Sequence, residues 1–167
     1  MNIKRMRGVY VVEFAIVGLL FFVLLFGVLE MGRLYFTVNA LNETVRRGAR
    51  LAAVCDISEP RILQRAIFNA ADESGASSLI NNLKTADLSL IYLDENGAVV
   101  ASPNDPVGAN GFRAVRYVRL SVANFNFNLL IPGFGGVFTL PAFSSTLPRE
   151  SLGRHAEAGV VPEITPC

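Results

Sequence analysis

The chain has 167 residues, with fifteen basic and fourteen acidic side chains, no tryptophan, two cysteines and one histidine, His155. Hydrophobic residues make up 51%, and their excess is concentrated near the N-terminus, which excludes a polytopic membrane protein and leaves one ordinary-sized domain beyond a single apolar segment. Three basic residues, Lys4, Arg5 and Arg7, precede that segment; the remainder is slightly acidic and offers no basic face for nucleic acid.

A basic leader, Met1 to Gly8, is followed by an apolar run from Val9 to Leu29 that only Glu13 interrupts. As helix this run is about 32 Å long, enough to cross the hydrocarbon core of a bilayer. No small-residue cleavage site follows it, so a retained anchor is favoured over a secretory signal. The leader charges place the N-terminus in the cytoplasm and the body outside. A carboxylate within a span costs roughly 2.5 to 3.5 kcal/mol on insertion scales and persists where it has a partner or a task. The alternative is a plain signal anchor with an incidental Glu13.

Beyond the span, Leu34, Val38, Leu41, Val45, Ala49 and Ala52 recur at spacings of three and four, and Asn42, Glu43, Arg46, Arg47 and Arg50 occupy other positions. This pattern continues the helix to Val54 as an amphipathic element whose stripe needs a covering domain. Glu30 and Arg33, three apart, can meet on one helix face as a local ion pair.

After Val54, Ser58 is expected to cap a second helix with Pro60 in its first turn and a stripe of Ile62, Leu63, Ala66, Ile67 and Ala70. Strand-like patterns then follow over Leu88–Leu93, Ala98–Ala101, about Ala114 to Asn124, and about Val137 to Thr146. Asn96-Gly97 signals a hairpin between the first two. The third alternates through Arg116, Val118, Leu120 and Val122, and the fourth is bent or at an edge because Pro141 lacks a ladder donor. Helices followed by antiparallel strands give an α+β domain.

Catalytic chemistry is nearly absent. His155 stands without the further histidines of a zinc site or triad. Asp94-Glu95-Asn96-Gly97 reads as a turn rather than a calcium loop, and Gly133-Phe134-Gly135-Gly136 lacks the lysine and hydroxyl of a phosphate loop. No enzyme activity and no cofactor are implied. Phe125, Phe127, Leu129, Leu130, Ile131 and Phe134 crowd one short region that is either a cover for the sheet or a patch for a partner.

The two cysteines, Cys55 at the end of the long helix and Cys167 at the chain's last position, both fall on the outer, oxidising side and are expected to pair. Unpaired thiols, or a bond to another protein, are the alternatives.

The stretch from Gly8 to Ala53 resembles the TadE-like pseudopilins of bacterial tight-adherence (Flp, type IV-related) pilus systems. The resemblance is carried by Arg7-Gly8, Glu13 five residues after that glycine, Gly27-Val28-Leu29-Glu30-Met31-Gly32-Arg33, Ala40-Leu41-Asn42 and Arg47-Gly48-Ala49-Arg50. It implies a pilin-like architecture: a cleaved leader at 1–8, a transmembrane helix at 9–30, its continuation at 31–54, and a periplasmic domain at 55–167 with a short helix packed on a small antiparallel β-sheet. It further implies cleavage by a prepilin peptidase between Gly8 and Val9, and a role for Glu13 in subunit assembly. The expected partners are that peptidase, other pilins or pseudopilins, the inner-membrane assembly platform and the membrane itself. The function so implied is that of a minor pilin in assembly, priming or tip formation. Two alternatives stay open: a pseudopilin of a type II-like secretion apparatus, and an unprocessed membrane-anchored binding or sensor domain.

Overall fold

The structure is a computed structural model that describes residues 3–70, 72–80, 82–106, 108–131, 135–154, 163–164 and 167, with side chains from Gly8 onward. Its contacts divide into two units, Met1–Phe36 with Phe127–Phe138, and Thr37–Asn126 with Thr139–Cys167.

One helix, α1, runs unbroken over Ile3–Val54. No proline interrupts it, and its apolar and amphipathic stretches share the 3.6-residue repeat. From Thr37 onward one face is buried with regular spacing: Thr37, Ala40, Leu41, Thr44, Val45, Gly48, Ala49, Ala52 and Ala53. Small residues dominate that face, so the helix axis approaches its neighbours closely. At Gly48 a Cβ would collide with Leu120 and lie 2.8 Å from the Ala66 Cβ. Thr44 joins the stripe because its Oγ1 donates to the Ala40 carbonyl at 2.9 Å, which satisfies the hydroxyl in the core.

The second helix, α2, covers only Arg61–Ala66, and two sequence expectations change here. Ser58 does not cap it: the Glu59 carboxylate accepts the Arg61 N–H at 3.2 Å, while the Ser58 hydroxyl meets Asn104. Nor does the helix reach Ala70. Phe68 adopts φ 67°, its N–H donates to the Arg65 carbonyl, and the Asn69 N–H donates to the Gln64 carbonyl. This pair of bonds closes a helix through a left-handed residue, a place usually taken by glycine.

Three strands form the main sheet in the order β1 (Leu88–Leu93), β2 (Tyr117–Val122), β5 (Phe143–Pro148), all antiparallel. Val118, Leu120 and Val122 of β2 are completely buried, as their alternation predicts, whereas Arg116 lies outside the strand. Ala98–Ala101 forms no strand; it touches β1 through one bridge, Leu93 to Val99. The turn before it is closed by Asp94, whose Oδ1 accepts the N–H groups of Asn96 and Ala98 at 2.9 and 2.8 Å, and only Gly97 takes a positive φ.

The segment expected as one strand from Val137 to Thr146 is two. β4 (Val137–Thr139) pairs with β3 (Asn126–Asn128) in a separate hairpin, and β5 joins the main sheet. The break falls at Leu140-Pro141-Ala142, where proline removes the donor that a continuous ladder needs.

Two adjoining clusters make the core. The first packs Leu41, Val45 and Ala49 of α1 against Ile67, Leu83, Leu88, Leu120 and Val122. The second packs Ala52 and Cys55 against Ile62, Tyr92, Phe112, Val115, Val118 and Leu152. Each large aliphatic side chain buried there contributes on the order of 1.5 to 3 kcal/mol of transfer free energy. These observations agree with the expected α+β class: a long N-terminal helix, a short helix and small antiparallel sheets.

Candidate functional site

The apolar stretch of α1 makes the largest exposed hydrophobic surface in the described chain. Val9, Phe14, Val17, Leu20, Leu24 and Val28 are all more than half exposed. Gly8, Val9 and Glu13 stand on this stretch, and Glu13 is exposed among apolar neighbours. The helix is long and apolar enough to cross a membrane, with no part of its most hydrophobic window buried inside the protein, which fits a single-pass membrane protein.

The span ends in a polar clasp. Glu30, only 9% exposed, receives both oxygens' bonds from Arg33 Nη1 at 2.7 and 2.8 Å, and the Leu130 N–H points at its Oε1 at 3.4 Å. Arg33 also donates from Nη2 to the Asn128 carbonyl at 2.7 Å, and its guanidinium stacks 4.5 Å above the Phe127 ring. The ion pair expected from the i, i+3 spacing is therefore present, and it additionally holds the β3–β4 hairpin against the helix. Nothing in the local sequence around residue 30 could have indicated that second task.

The crowded aromatic region divides. Phe125 belongs to the first core cluster, and Phe127 is buried beneath Arg33. Leu129 and Ile131 are half-buried, Leu130 is exposed, and Phe134 lies outside the described residues, as does His155.

At its other end α1 is closed by residues distant in sequence. Glu150 and Leu152 donate their N–H groups to the Ala53 carbonyl, Gly153 N–H and the Ser151 hydroxyl reach the Val54 carbonyl, and these bonds satisfy carbonyls that a helix end leaves orphaned. Gly153 adopts φ 66° and lies so close to Asp56 that a Cβ would sit 2.6 Å from its amide nitrogen. Arg154 Nε pairs with Asp56 Oδ1 at 2.7 Å, both side chains nearly buried, and Cys55 forms a disulfide with Cys167 with Cα atoms 5.6 Å apart. Nearby, burial and, secondarily, the Asp56 carboxylate push the Tyr92 phenol well above its ordinary range. Among the described residues no cluster of His, Cys, Asp and Glu could hold a metal ion.

The family model described as TadE-like protein matches residues 8–50, from the glycine that ends the basic leader through the buried stripe of α1. This stretch of the chain is similar to the TadE-like family. The TadE-like segment thus contains Glu13 and the Glu30–Arg33 pair, and it stops before the disulfide and the sheet. The match relates residues 8–50 to a Tad pilus-related, pilin-like family. Neither the curated proteins nor the solved structures give a match.

Proposed function

We propose that the chain is a minor pilin of a tight-adherence pilus, processed by a prepilin peptidase between Gly8 and Val9 and handed by the inner-membrane platform to a growing fibre. The observation that carries this reading is the register of the family match: it begins at Gly8, and Glu13 is the fifth residue after that glycine.

The chemistry follows from that register. Cleavage leaves Val9 with a free amine whose reference pKa is about 7.7 to 8.0, a cation at neutral pH. Within a bundle of apolar helices that cation needs a counter-charge, and Glu13 of an adjacent subunit supplies one at a defined axial offset. The pair sets the stagger between subunits, and the apolar helix supplies the non-directional contact around it. The domain from Cys55 onward stays on the outer, periplasmic side.

Intact mass of the membrane protein tests the processing: it falls by the leader peptide only in cells with a prepilin peptidase, and an equal mass in both strains refutes the reading. Glu13→Leu tests the assembly role. It removes an insertion cost of roughly 2.5 to 3.5 kcal/mol, so membrane levels and cleavage hold. Piliation and surface adherence are lost, and wild-type piliation by this variant would show the charge to be incidental.

A further inference from the structure

We propose that the β3–β4 hairpin is a second membrane contact, resting the exposed side chains of Leu130, Val137 and Phe138 in the headgroup boundary of the leaflet where the α1 span ends. The proposal rests on the helix crossing a bilayer and is independent of the pilus.

The side chains of β4 violate the pattern of a water-exposed ribbon, which β3 keeps. Successive residues of a strand point to opposite faces. In β4, Val137 and Phe138 are nevertheless 63% and 58% exposed, so both faces present large apolar groups. Leu130, just past β3, is 69% exposed. Antiparallel strands that face water on one side carry polar residues there, and an isolated two-stranded hairpin is marginal in water.

The clasp fixes where these residues stand along the helix. Asn128 is bonded to Arg33 and Leu130 to Glu30, so the chain leaving β3 is held where the apolar run of α1 ends. The Leu130 amide is thereby held at Glu30, the residue that follows the apolar run. Asn126 and Thr139 lie at the ribbon's other end, joined by a 3.0 Å bond between side chains, and the exposed Asn128 turns its carbonyl to Arg33.

Depth is limited by the backbone. A two-stranded ribbon keeps unpaired N–H and C=O groups on its outer edges, and these exclude it from the hydrocarbon core. The headgroup boundary tolerates them and still accepts aliphatic and aromatic side chains. The hairpin is therefore suited to a lipid interface, and with the span it gives the protein two points of contact rather than one.

Because the chain has no tryptophan, a single introduced indole reports its own surroundings. Full-length Leu130→Trp, Phe138→Trp and Leu19→Trp are each reconstituted in phosphatidylcholine and phosphatidylglycerol vesicles whose acyl chains carry bromine either near the headgroup or near the chain end. Leu19→Trp, at mid-span, is quenched most by deep bromine. Leu130→Trp is quenched most by shallow bromine and is shielded from aqueous acrylamide; Phe138→Trp, an aromatic-for-aromatic exchange that keeps the fold, shows the same order. Acrylamide quenching without bromine quenching at both hairpin positions overturns the proposal and places the ribbon in water. Protection from both quenchers overturns it too, by showing that protein, such as a second copy, covers these two positions. Loss of bromine quenching at Leu19 refutes the span, and the hairpin proposal with it.

Discussion

The two stretches of α1 share a helix and little else. From Val9 to Leu29 nearly every side chain is exposed and apolar, and the one acid, Glu13, makes no ion pair among the described residues; from Thr37 to Ala53 one face is covered and the other carries Glu43, Arg46, Arg47 and Arg50. The covered stretch obtains its stability from a domain of the same chain. The uncovered stretch is long and apolar enough to obtain it from a different solvent, the lipid of a membrane. The contrast shows that hydrophobic periodicity reports what a helix needs, whereas the source of the cover is decided elsewhere.

The largest expected effect on the covered stretch comes from its fastening. Replacing Cys55 and Cys167 together with serine frees a loop of 112 residues and destabilises the fold by about 4 to 5 kcal/mol in the chain-entropy account. Urea denaturation in detergent, followed by far-ultraviolet dichroism, reads this as a lower midpoint, and added reductant lowers the wild-type midpoint to the same value. The apolar stretch keeps its helicity throughout. An unshifted midpoint would mean that the end of α1 is held by the Asp56–Arg154 pair and the carbonyl bonds alone.

A methyl group separates the two stretches more sharply. Gly48→Ala inserts a Cβ between α1, Ala66 and Leu120 and costs on the order of 1 to 3 kcal/mol by overpacking, even though alanine is the better helix former. Gly18→Ala and Gly27→Ala meet nothing within 4 Å and leave the denaturation midpoint where it was. Equal effects at all three glycines would refute the close helix–sheet contact.

The smallest effect is visible only at alkaline pH. The Tyr92 hydroxyl is buried without a hydrogen-bond partner among the described residues. Burial raises its pKa in the folded state, so the neutral form contributes stability that is complete below the unfolded value of about 10 and is lost as pH rises above it. Tyr92→Phe is expected to change neutral-pH stability by less than about 1 kcal/mol. It flattens the decline above pH 10, which thermal melts between pH 7 and 11 would reveal.

Much of this architecture is legible in the residues. The span, the amphipathic continuation and the alternation of β2 each declare themselves within a dozen positions, because a regular element repeats its environment along the chain. Ser58 and Ala70 misled because the competing partners, the Glu59 carboxylate and a left-handed phenylalanine at residue 68, are rarer answers to the same capping requirement. The aromatic cluster after Asn124 could not be sorted into core and surface from composition. Its neighbours differ: Phe125 packs in the first core cluster, Phe127 lies under Arg33, and the Leu130 side chain is exposed while its amide meets Glu30.

By itself, then, the sequence determined the long helix, its division into an apolar and an amphipathic stretch, the acid at Glu13, the local Glu30–Arg33 pair and the only two cysteines available to each other. Tertiary structure alone decided that Pro141 would send its two flanking strands into different sheets, that Arg33 would clasp a hairpin 95 residues away, and that residues 150–153 would close the end of α1. The reason is range. Periodicity, charge and capping preferences act between residues a few positions apart, whereas a clasp or a remote cap depends on which backbone groups the folded core brings within about 3 Å of one another.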